Sequence, residues 1–263
     1  MSFKFTVLAA AALVAANMAS AQTAAPAAPK APEPDYTISY NLGAVSDYRF
    51  RGISQTSKKP AIQGGADVAF KNGAYLGAWA SNVNWVKDFN GATNGSLELD
   101  LYGGYKGELA KDVAFDVGVI SYKYPGNNSG AAGTRGFGGF SNASTNEIYG
   151  AVTYGIYTAK YNRSVGDFLG NIKSSGSNYI DLSAAIDLGD SMTLTPHVGR
   201  QLVANSAAFS YTDYSLTLAK DLGNGVVLTL AATSTNAQTL SYTDFNGKTI
   251  ATSAVLVGAK YSF

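Results

Sequence analysis

Strict alternation of apolar with polar or small residues is the feature that most limits how this chain can fold. It starts at Tyr36 and returns in about twelve segments up to the last residue, Phe263. The segment 180–187, for example, reads Ile-Asp-Leu-Ser-Ala-Ala-Ile-Asp. A period of two residues predicts β-strands that bury one face, so the chain is predicted to be all-β.

The connections between these predicted strands alternate in length. After odd-numbered strands they are long, as in 125–145, and after even-numbered strands they are short, as at Asn72-Gly73. Transmembrane barrels show this asymmetry, with long outer loops and tight periplasmic turns. We therefore predict one antiparallel, up-and-down outer-membrane β-barrel of twelve strands over 36–263. The predicted strands are 36–51, 61–70, 74–86, 97–108, 113–124, 146–154, 157–164, 178–188, 192–203, 213–221, 226–235 and 253–263.

Two segments precede the predicted barrel. Residues 1–21 have the pattern of a bacterial signal peptide, with Lys4, an apolar stretch and a small-residue cleavage site at Ala19-Ser20-Ala21. The alternative, a membrane anchor, is disfavoured because about 12 apolar residues are too few for a span of roughly 20. Residues 22–35 are rich in Ala and Pro and predict an extended periplasmic spacer.

Composition excludes several classes of function. The chain has no Cys, so disulfides and thiol chemistry are ruled out, and its net charge of +1 gives no sign of nucleic-acid binding. The single histidine, His197, has no recognisable nucleophilic serine motif beside it in the sequence. The glycine-rich stretch 136–140 is not followed by the Lys-Ser/Thr of a phosphate loop. We predict no enzyme activity, no cofactor and no metal site.

The alternation also predicts which residues meet lipid. One face of the predicted strands carries large apolar side chains, and the other carries Gly, Ala, Ser, Thr and single charges, as expected for a water-filled lumen. Aromatic residues near the strand ends are predicted to form the two interfacial girdles. They are Tyr48, Phe50, Trp85, Tyr122, Tyr124, Tyr157, Tyr161, Tyr214, Tyr261 and Phe263.

Charged residues on the small-residue face are the candidate pore lining. Asp47, Arg49 and Arg51 share one face of the first predicted strand, opposite Tyr48 and Phe50. Two interpretations stay open: paired charges that stabilise a narrow barrel, or a transverse field across a constriction that orients solutes. The loop 125–145 is either a constriction folded into the mouth or an external loop. The predicted pore-lining residues are Asp47, Arg49, Arg51, Glu98, Asp100, Asp116, Glu147, Lys160 and Asp181.

The C-terminus carries a further signal. Gly258, Tyr261 and Phe263 match the final-strand pattern of outer-membrane barrels, although Leu256 stands where that pattern usually has a polar residue. We expect this strand to be recognised by the barrel-assembly machinery. The other expected partners are outer-membrane lipid, lipopolysaccharide and small solutes.

Several motifs resemble one family. They are Ser46-Asp47-Tyr48-Arg49-Phe50-Arg51-Gly52-Ile53-Ser54-Gln55, then the stretches 60–65, 73–83 and 98–105, Asp116-Val117-Gly118 and Tyr122-Lys123-Tyr124-Pro125-Gly126. In this order they are similar to the proteobacterial TorF-type porins, most densely over 37–126. The resemblance implies an outer-membrane barrel that passes small solutes, and it carries over neither a substrate nor catalytic residues.

We therefore expect passive diffusion of small polar or charged solutes. The alternative is a plugged barrel that binds or adheres through its long loops, and a barrel hydrolase is a third class with little support. A modest cation preference is also expected, because eight acids against five bases fall on the predicted lumenal face. The acids are Asp47, Asp67, Glu98, Asp100, Asp116, Glu147, Asp181 and Asp187, and the bases are Arg49, Arg51, Lys106, Lys160 and Lys260.

Overall fold

The computed structural model describes residues 34–263. The predicted signal peptide, 1–21, and nearly all of the predicted spacer lie outside the described residues. The strands are β1 Tyr36–Val45, β2 Arg49–Phe50, β3 Ile53–Ser54, β4 Ala61–Phe70, β5 Ala74–Asn82, β6 Leu97–Ala110, β7 Val113–Lys123, β8 Thr145–Tyr154, β9 Tyr157–Ser164, β10 Asn178–Ala184, β11 Ile186–Gly189, β12 Met192–Leu202, β13 Tyr211–Gly223, β14 Val226–Thr235 and β15 Ala254–Ser262.

Thirteen of these strands form one closed antiparallel barrel. Neighbours along the chain pair in order, and β1 pairs with β15, which closes the ring. Both β10 and β11 pair with β12 and occupy a single place in the ring, interrupted at Ala185. The barrel therefore has twelve strand positions, as predicted, and closure leaves no free sheet edge.

The ends of the barrel differ in the predicted way. At one end, the long-loop end, the connections are 46–60, 83–96, 124–144, 165–177, 203–210 and 236–253. At the other, the short-turn end, 71–73 is the longest connection and the remaining four have two residues each. A one-turn helix, α1 Trp85–Asp88, and 3₁₀ turns at Ala207–Phe209 and Leu240–Tyr242 lie in the loops. Among residues 34–263 no helix is long and apolar enough to cross a membrane.

The outer face of the barrel is apolar. In β1, Ile38, Tyr40 and Leu42 are 47–56% exposed, while the residues between them are covered. Other strands also expose large apolar side chains, among them Leu76, Leu101, Val119, Leu182, Leu216, Leu230 and Val257, so such side chains surround the barrel. A soluble protein does not keep so large a continuous apolar surface in water. An apolar band around a closed barrel is the architecture of an outer-membrane protein.

The long-loop end holds two buried apolar clusters. The first contains Val83, Trp85, Val86, Ala92, Tyr122, Tyr124 and Ala143, with Tyr48 and Phe50 packed against it. The second contains Ile53, Tyr211, Tyr242 and Ile250. The loops thus build a small core across the mouth of the barrel.

This core corrects the girdle prediction. Tyr48, Phe50, Trp85, Tyr122 and Tyr124 were expected at the lipid interface but pack inside, because the loops fold over the mouth and bury them. The other five predicted girdle residues are 42–63% exposed on the outside. They are Tyr157, Tyr161, Tyr214, Tyr261 and Phe263.

Candidate functional site

Residues 46–57 form a hairpin that folds into the barrel, here called the inward hairpin. The prediction that the first strand runs to residue 51 is wrong, since β1 ends at Val45. Strands β2 and β3 then pair with each other instead of with the barrel. The alternation of 47–51 is thus that of a separate ribbon, and Tyr48 and Phe50 do not face lipid.

The tip of the inward hairpin is the two-residue turn Arg51-Gly52. Both residues have positive φ, 48° and 79°, as a type I′ turn requires. A Cβ on Gly52 would lie 2.8 Å from the Cβ of Asp213 on β13, so only glycine fits so close to the opposite wall. A positive φ strains the backbone of Arg51, and the contacts of its side chain must offset that strain.

Arg51 makes those contacts across the lumen. Its Nη2 donates to Glu147 Oε2 at 2.6 Å, and its Nη1 donates to Glu147 Oε1 at 3.0 Å and to Gln201 Oε1 at 2.8 Å. The guanidinium also lies 4.4 Å from the centre of the Tyr179 ring. Burial lowers the pKa of Arg51, but the charge and hydrogen bonds of Glu147 together with the nearby Tyr122 and Tyr211 outweigh burial, and the net shift is upward. The hairpin tip is therefore an arginine fixed by a bidentate, buried ion pair.

Asp47 and Arg49 pair with each other within the hairpin. Arg49 Nε donates to Asp47 Oδ2 at 2.7 Å, and its Nη1 donates to the carbonyl of Thr252 at 2.8 Å. The other oxygen of Asp47 accepts the hydroxyls of Ser54 at 2.5 Å and Thr56 at 3.1 Å. The carboxylate thus ties the two arms of the hairpin together.

Glu98 and Asp100 are buried on β6 below the first apolar cluster. The hydroxyl of Tyr48 donates to Glu98 Oε1 at 2.6 Å, whereas Asp100 Oδ1 makes no hydrogen bond within residues 34–263. Burial, followed by the charges of Glu98 and Asp100, raises the pKa of Tyr48. In the described part of the chain neither carboxylate forms an ion pair, and no group of three or more metal-ligating side chains is present.

A cavity of about 410 Å³ lies beneath the inward hairpin. Its roof is formed by residues 49–52 of the hairpin. Its walls come from β7, β9, β10, β12, β13, β14 and β15. The wall residues are Tyr122, Lys160, Asn162, Tyr179, Asp181, His197, Asp213, Ser215, Thr217, Ala231, Thr233 and Leu256.

His197 joins two carboxylates on one wall of this cavity. Its Nε2 lies 2.9 Å from Asp181 Oδ2, and its Nδ1 lies 3.7 Å from Asp213 Oδ2. The hydroxyl of Tyr179 donates to Asp213 at 3.0 Å and lies 3.2 Å from His197 Nε2. Strands β10, β12 and β13 are neighbours, which brings these inward side chains to one level.

The lumen below the hairpin is asymmetric. On the β4–β8 side, tyrosines fill it: Tyr75 donates to Asp116 at 2.5 Å and meets the Tyr149 hydroxyl, and Tyr102 donates to Asp67 at 2.6 Å. On the β13–β14 side the inward residues are small, namely Ser215, Thr217, Ala231 and Thr233. The free volume therefore follows the small-residue side of the barrel.

The structure brings together some predicted site residues and separates others. Arg51 meets Glu147, and Arg49 meets Asp47. Asp116 accepts a hydrogen bond from Tyr75, and Lys160 lies 4.2 Å from the Tyr149 ring. The loop 125–145 packs on residues 89–91. The backbone N–H of Arg135 donates to the carbonyl of Gly91, and the Phe140 ring lies 5.7 Å from the Phe89 ring. The segment that enters the lumen is 46–57.

Three residues of the cavity region were missed at the sequence level. Asp213, Tyr179 and Gln201 all sit on inward faces. The alternation of β13, with Tyr214 and Leu216 outward, already placed Asp213 inward. The contacts of these residues with the inward hairpin could not be predicted from the local sequence, because they depend on how a loop folds across the barrel.

Comparison with protein families gives one match, which spans residues 28–263. It is the family described as a bacterial protein of unknown function, Gcw_chp. The chain belongs to the Gcw_chp family. No curated protein sequence matches it.

Solved porins share the fold of this Gcw_chp member. The KdgM porin solved with disordered oligogalacturonate is 9% identical, with a TM-score of 0.51 over 86% of this chain and 98% of that one. The NanC porin is also 9% identical, with a TM-score of 0.51 over 86% and 99% of the two chains. At this identity, the likeness concerns the fold alone.

The C-terminal residues close the barrel. Phe263 exchanges two backbone hydrogen bonds with Tyr40 on β1, at 2.8 and 3.0 Å, and the two rings stack with centres 5.7 Å apart. The Tyr261 ring stacks on Phe263 from the same strand face. Gly258 faces the lumen, where a Cβ would lie 2.7 Å from Thr229 Oγ1.

Proposed function

We propose that this Gcw_chp protein is an outer-membrane channel for the passive diffusion of small polar or charged solutes. The observation that carries the proposal is the cavity of about 410 Å³, lined by hydroxyls and charges, inside a closed barrel with an apolar exterior. A lumen kept for stability alone would gain from filling this space with side chains. The resemblance of its opening strands to the TorF-type porins supports the same function.

Selectivity follows from the charges that the hairpin leaves unpaired. The two ion pairs of the inward hairpin remove two acids and two bases from those expected on the lumenal face. Six acids against three bases remain, so the negative excess persists, and Asp213 adds to it. In a narrow lumen such an excess favours cations, with an effect that salt weakens.

A second candidate is a plugged barrel that binds partners through its outer loops. The two apolar clusters at the long-loop end favour it, because they fill the mouth with packed side chains. The hairpin would then be a permanent plug.

Conductance in planar bilayers separates the two candidates. We expect discrete ion-current steps from the refolded full-length mature protein, with reversal potentials in a salt gradient that indicate cation preference. A folded protein, shown by heat-modifiable migration in SDS, that inserts without conductance would refute the channel and support the plug. Clear anion preference would refute the charge assignment.

Assembly is proposed to use the final strand. Gly258, Tyr261 and Phe263 would present the pattern recognised by the barrel-assembly machinery, and lipid and lipopolysaccharide would surround the apolar band. The stacking of Phe263 on Tyr40 supports this, because the last residue also completes the ring.

A further inference from the structure

The cavity beneath the inward hairpin has charges of opposite sign on different surfaces. Its roof presents the guanidiniums of Arg49 and Arg51, and the ammonium of Lys160 lies on the adjoining wall. The carboxylates of Asp181 and Asp213 lie on β10 and β13, and Asp181 stands opposite Lys160 in the register of β10 and β9. Both signs therefore face one cavity.

The positive side keeps hydrogen-bonding capacity. Arg49 donates through Nε and Nη1, and no bond from its Nη2 is found to any residue of 34–263. Lys160 lies over the Tyr149 ring and has no carboxylate within ion-pair distance in the same part of the chain. A carboxylate in the cavity would find donors there.

The negative side offers carboxylate oxygens. His197 is the shared neighbour of Asp181 and Asp213, so two carboxylates face one imidazole. Asp181 is the most exposed of the three, with 26% of its side chain accessible. Its Oδ2 faces His197, and its Oδ1 accepts no hydrogen bond from residues 34–263. An ammonium group in the cavity would find an acceptor there.

Tyr179 links the two sides. Its ring lies 4.4 Å from the guanidinium carbon of Arg51, and its hydroxyl donates to Asp213. Lys160 and Asp181 are cross-strand partners on β9 and β10. The two signs therefore adjoin, as the two charges of a small zwitterion do. Hydroxyls of Ser215, Thr217 and Thr233 line the same cavity and offer further polar contacts.

We infer that this cavity is a binding subsite for small zwitterions of the α-amino acid class, with the carboxylate toward Arg49 and Lys160 and the ammonium toward Asp181 and Asp213. A simple anion would meet the two aspartates as like charges, and a simple cation would leave the donors of Arg49 and Lys160 unused. A solute that carries both charges gains from both poles. The inference rests on the proposed channel function and gives it a solute class.

The test separates binding from permeation. The probe is L-threonine, and erythritol is the uncharged solute of similar size. Saturation-transfer NMR on the detergent-purified, full-length mature protein measures binding, and proteoliposome swelling measures flux. We expect a transfer signal for threonine and none for erythritol, with faster swelling in threonine than in erythritol.

The variants are isosteric. In Asp181→Asn we expect the threonine affinity and the threonine-to-erythritol flux ratio to fall by about tenfold or more, the worth of one charge-assisted hydrogen bond. Lys160→Met should produce a similar fall from the opposite pole. Asp221→Asn is the matched control, because Asp221 is exposed at the short-turn end. Heat-modifiable migration in SDS confirms that each variant is folded.

Two outcomes are informative in opposite ways. Erythritol flux without threonine binding, or threonine binding unchanged in both folded variants, would overturn the subsite and leave the channel standing. Threonine binding that the variants weaken, without flux of either solute, would support the subsite and refute the channel.

Discussion

The ion pair between Arg51 and Glu147 is predicted to hold the inward hairpin in the lumen. Only 6% of the Arg51 side chain and none of the Glu147 side chain is exposed, and two hydrogen bonds join them. Arg51→Met would leave a carboxylate buried without its counter-charge. Removing one partner of a buried pair costs about 3–5 kcal/mol, much of it the desolvation of the charge left behind.

The consequence is a shift in the docking equilibrium of the hairpin. At about 1.4 kcal/mol per factor of ten, that loss lowers the ratio of docked to undocked hairpins roughly 10²- to 10⁴-fold. Because the tip spans the lumen, undocking would widen the passage. We expect Arg51→Met to raise the single-channel conductance or the open time, and the double variant Arg51→Met/Glu147→Met to recover part of the lost stability toward urea.

The control for this experiment is Arg200→Met. Arg200 is exposed on the outside of β12, one residue from the Gln201 that Arg51 contacts, and it donates to Thr212. It should change neither conductance nor stability by much. If Arg51→Met folds, and its conductance, open time and urea midpoint equal those of the wild type, the ion pair does not hold the hairpin, and the reasoning fails.

Three further predictions concern the barrel and the hairpin. The folded protein should migrate differently in SDS before and after boiling, because a closed ring has no edge from which to unravel; identical migration would count against closure. Deleting Phe263 should lower the amount assembled in the outer membrane, since two hydrogen bonds and a ring stack with Tyr40 are lost; unchanged levels on immunoblots of membrane fractions would contradict this. Gly52→Ala should destabilise the hairpin by about 1–3 kcal/mol through its positive φ and its approach to Asp213, and protease sensitivity equal to the wild type would argue against tight docking.

The barrel could be predicted from sequence because its signal is local and repeated. Each strand alternates on its own, so β12, Met192–Leu202, differs by only one residue at its C-terminus from the predicted 192–203. The alternating loop lengths then fix the topology without any long-range contact. The largest errors occur where a strand was extended into a loop, as in 36–51 and 74–86.

The fold of the mouth could not be predicted in the same way. Arg51 lies 96 residues from Glu147 and 150 residues from Gln201, and no local pattern shows that they meet. A hairpin also has a period of two, so residues 47–51 match a barrel strand as well as a ribbon. The one sign of the hairpin in the sequence is the dipeptide Arg51-Gly52. Its glycine suits a tight turn, and it directly follows the alternating residues of the first arm.

The aromatic residues illustrate a second limit. A lipid interface and a loop core can each accommodate both the apolar ring and the polar hydroxyl of a tyrosine. Tyr161 is exposed on the outside of the barrel, whereas Tyr122 lies in the packed mouth, with 6% exposure. The hydrophobic pattern therefore predicts both residues near strand ends, but it does not distinguish a side chain that faces lipid from one that packs in the mouth of the barrel.

The same hairpin explains why the lumen is charged yet only partly filled. Its polar tip can enter only because the wall supplies Glu147 and Gln201 as partners, since an unpaired arginine would not leave water. Those partners lie on β8 and β12, so the tip fixes itself to that part of the wall. The small residues of β13 and β14 stay uncovered below it. The ion pair of the hairpin tip therefore sets the position of the hairpin. The charged groups that do not pair with the hairpin, above all Asp181 and Lys160, face the space through which a solute would pass.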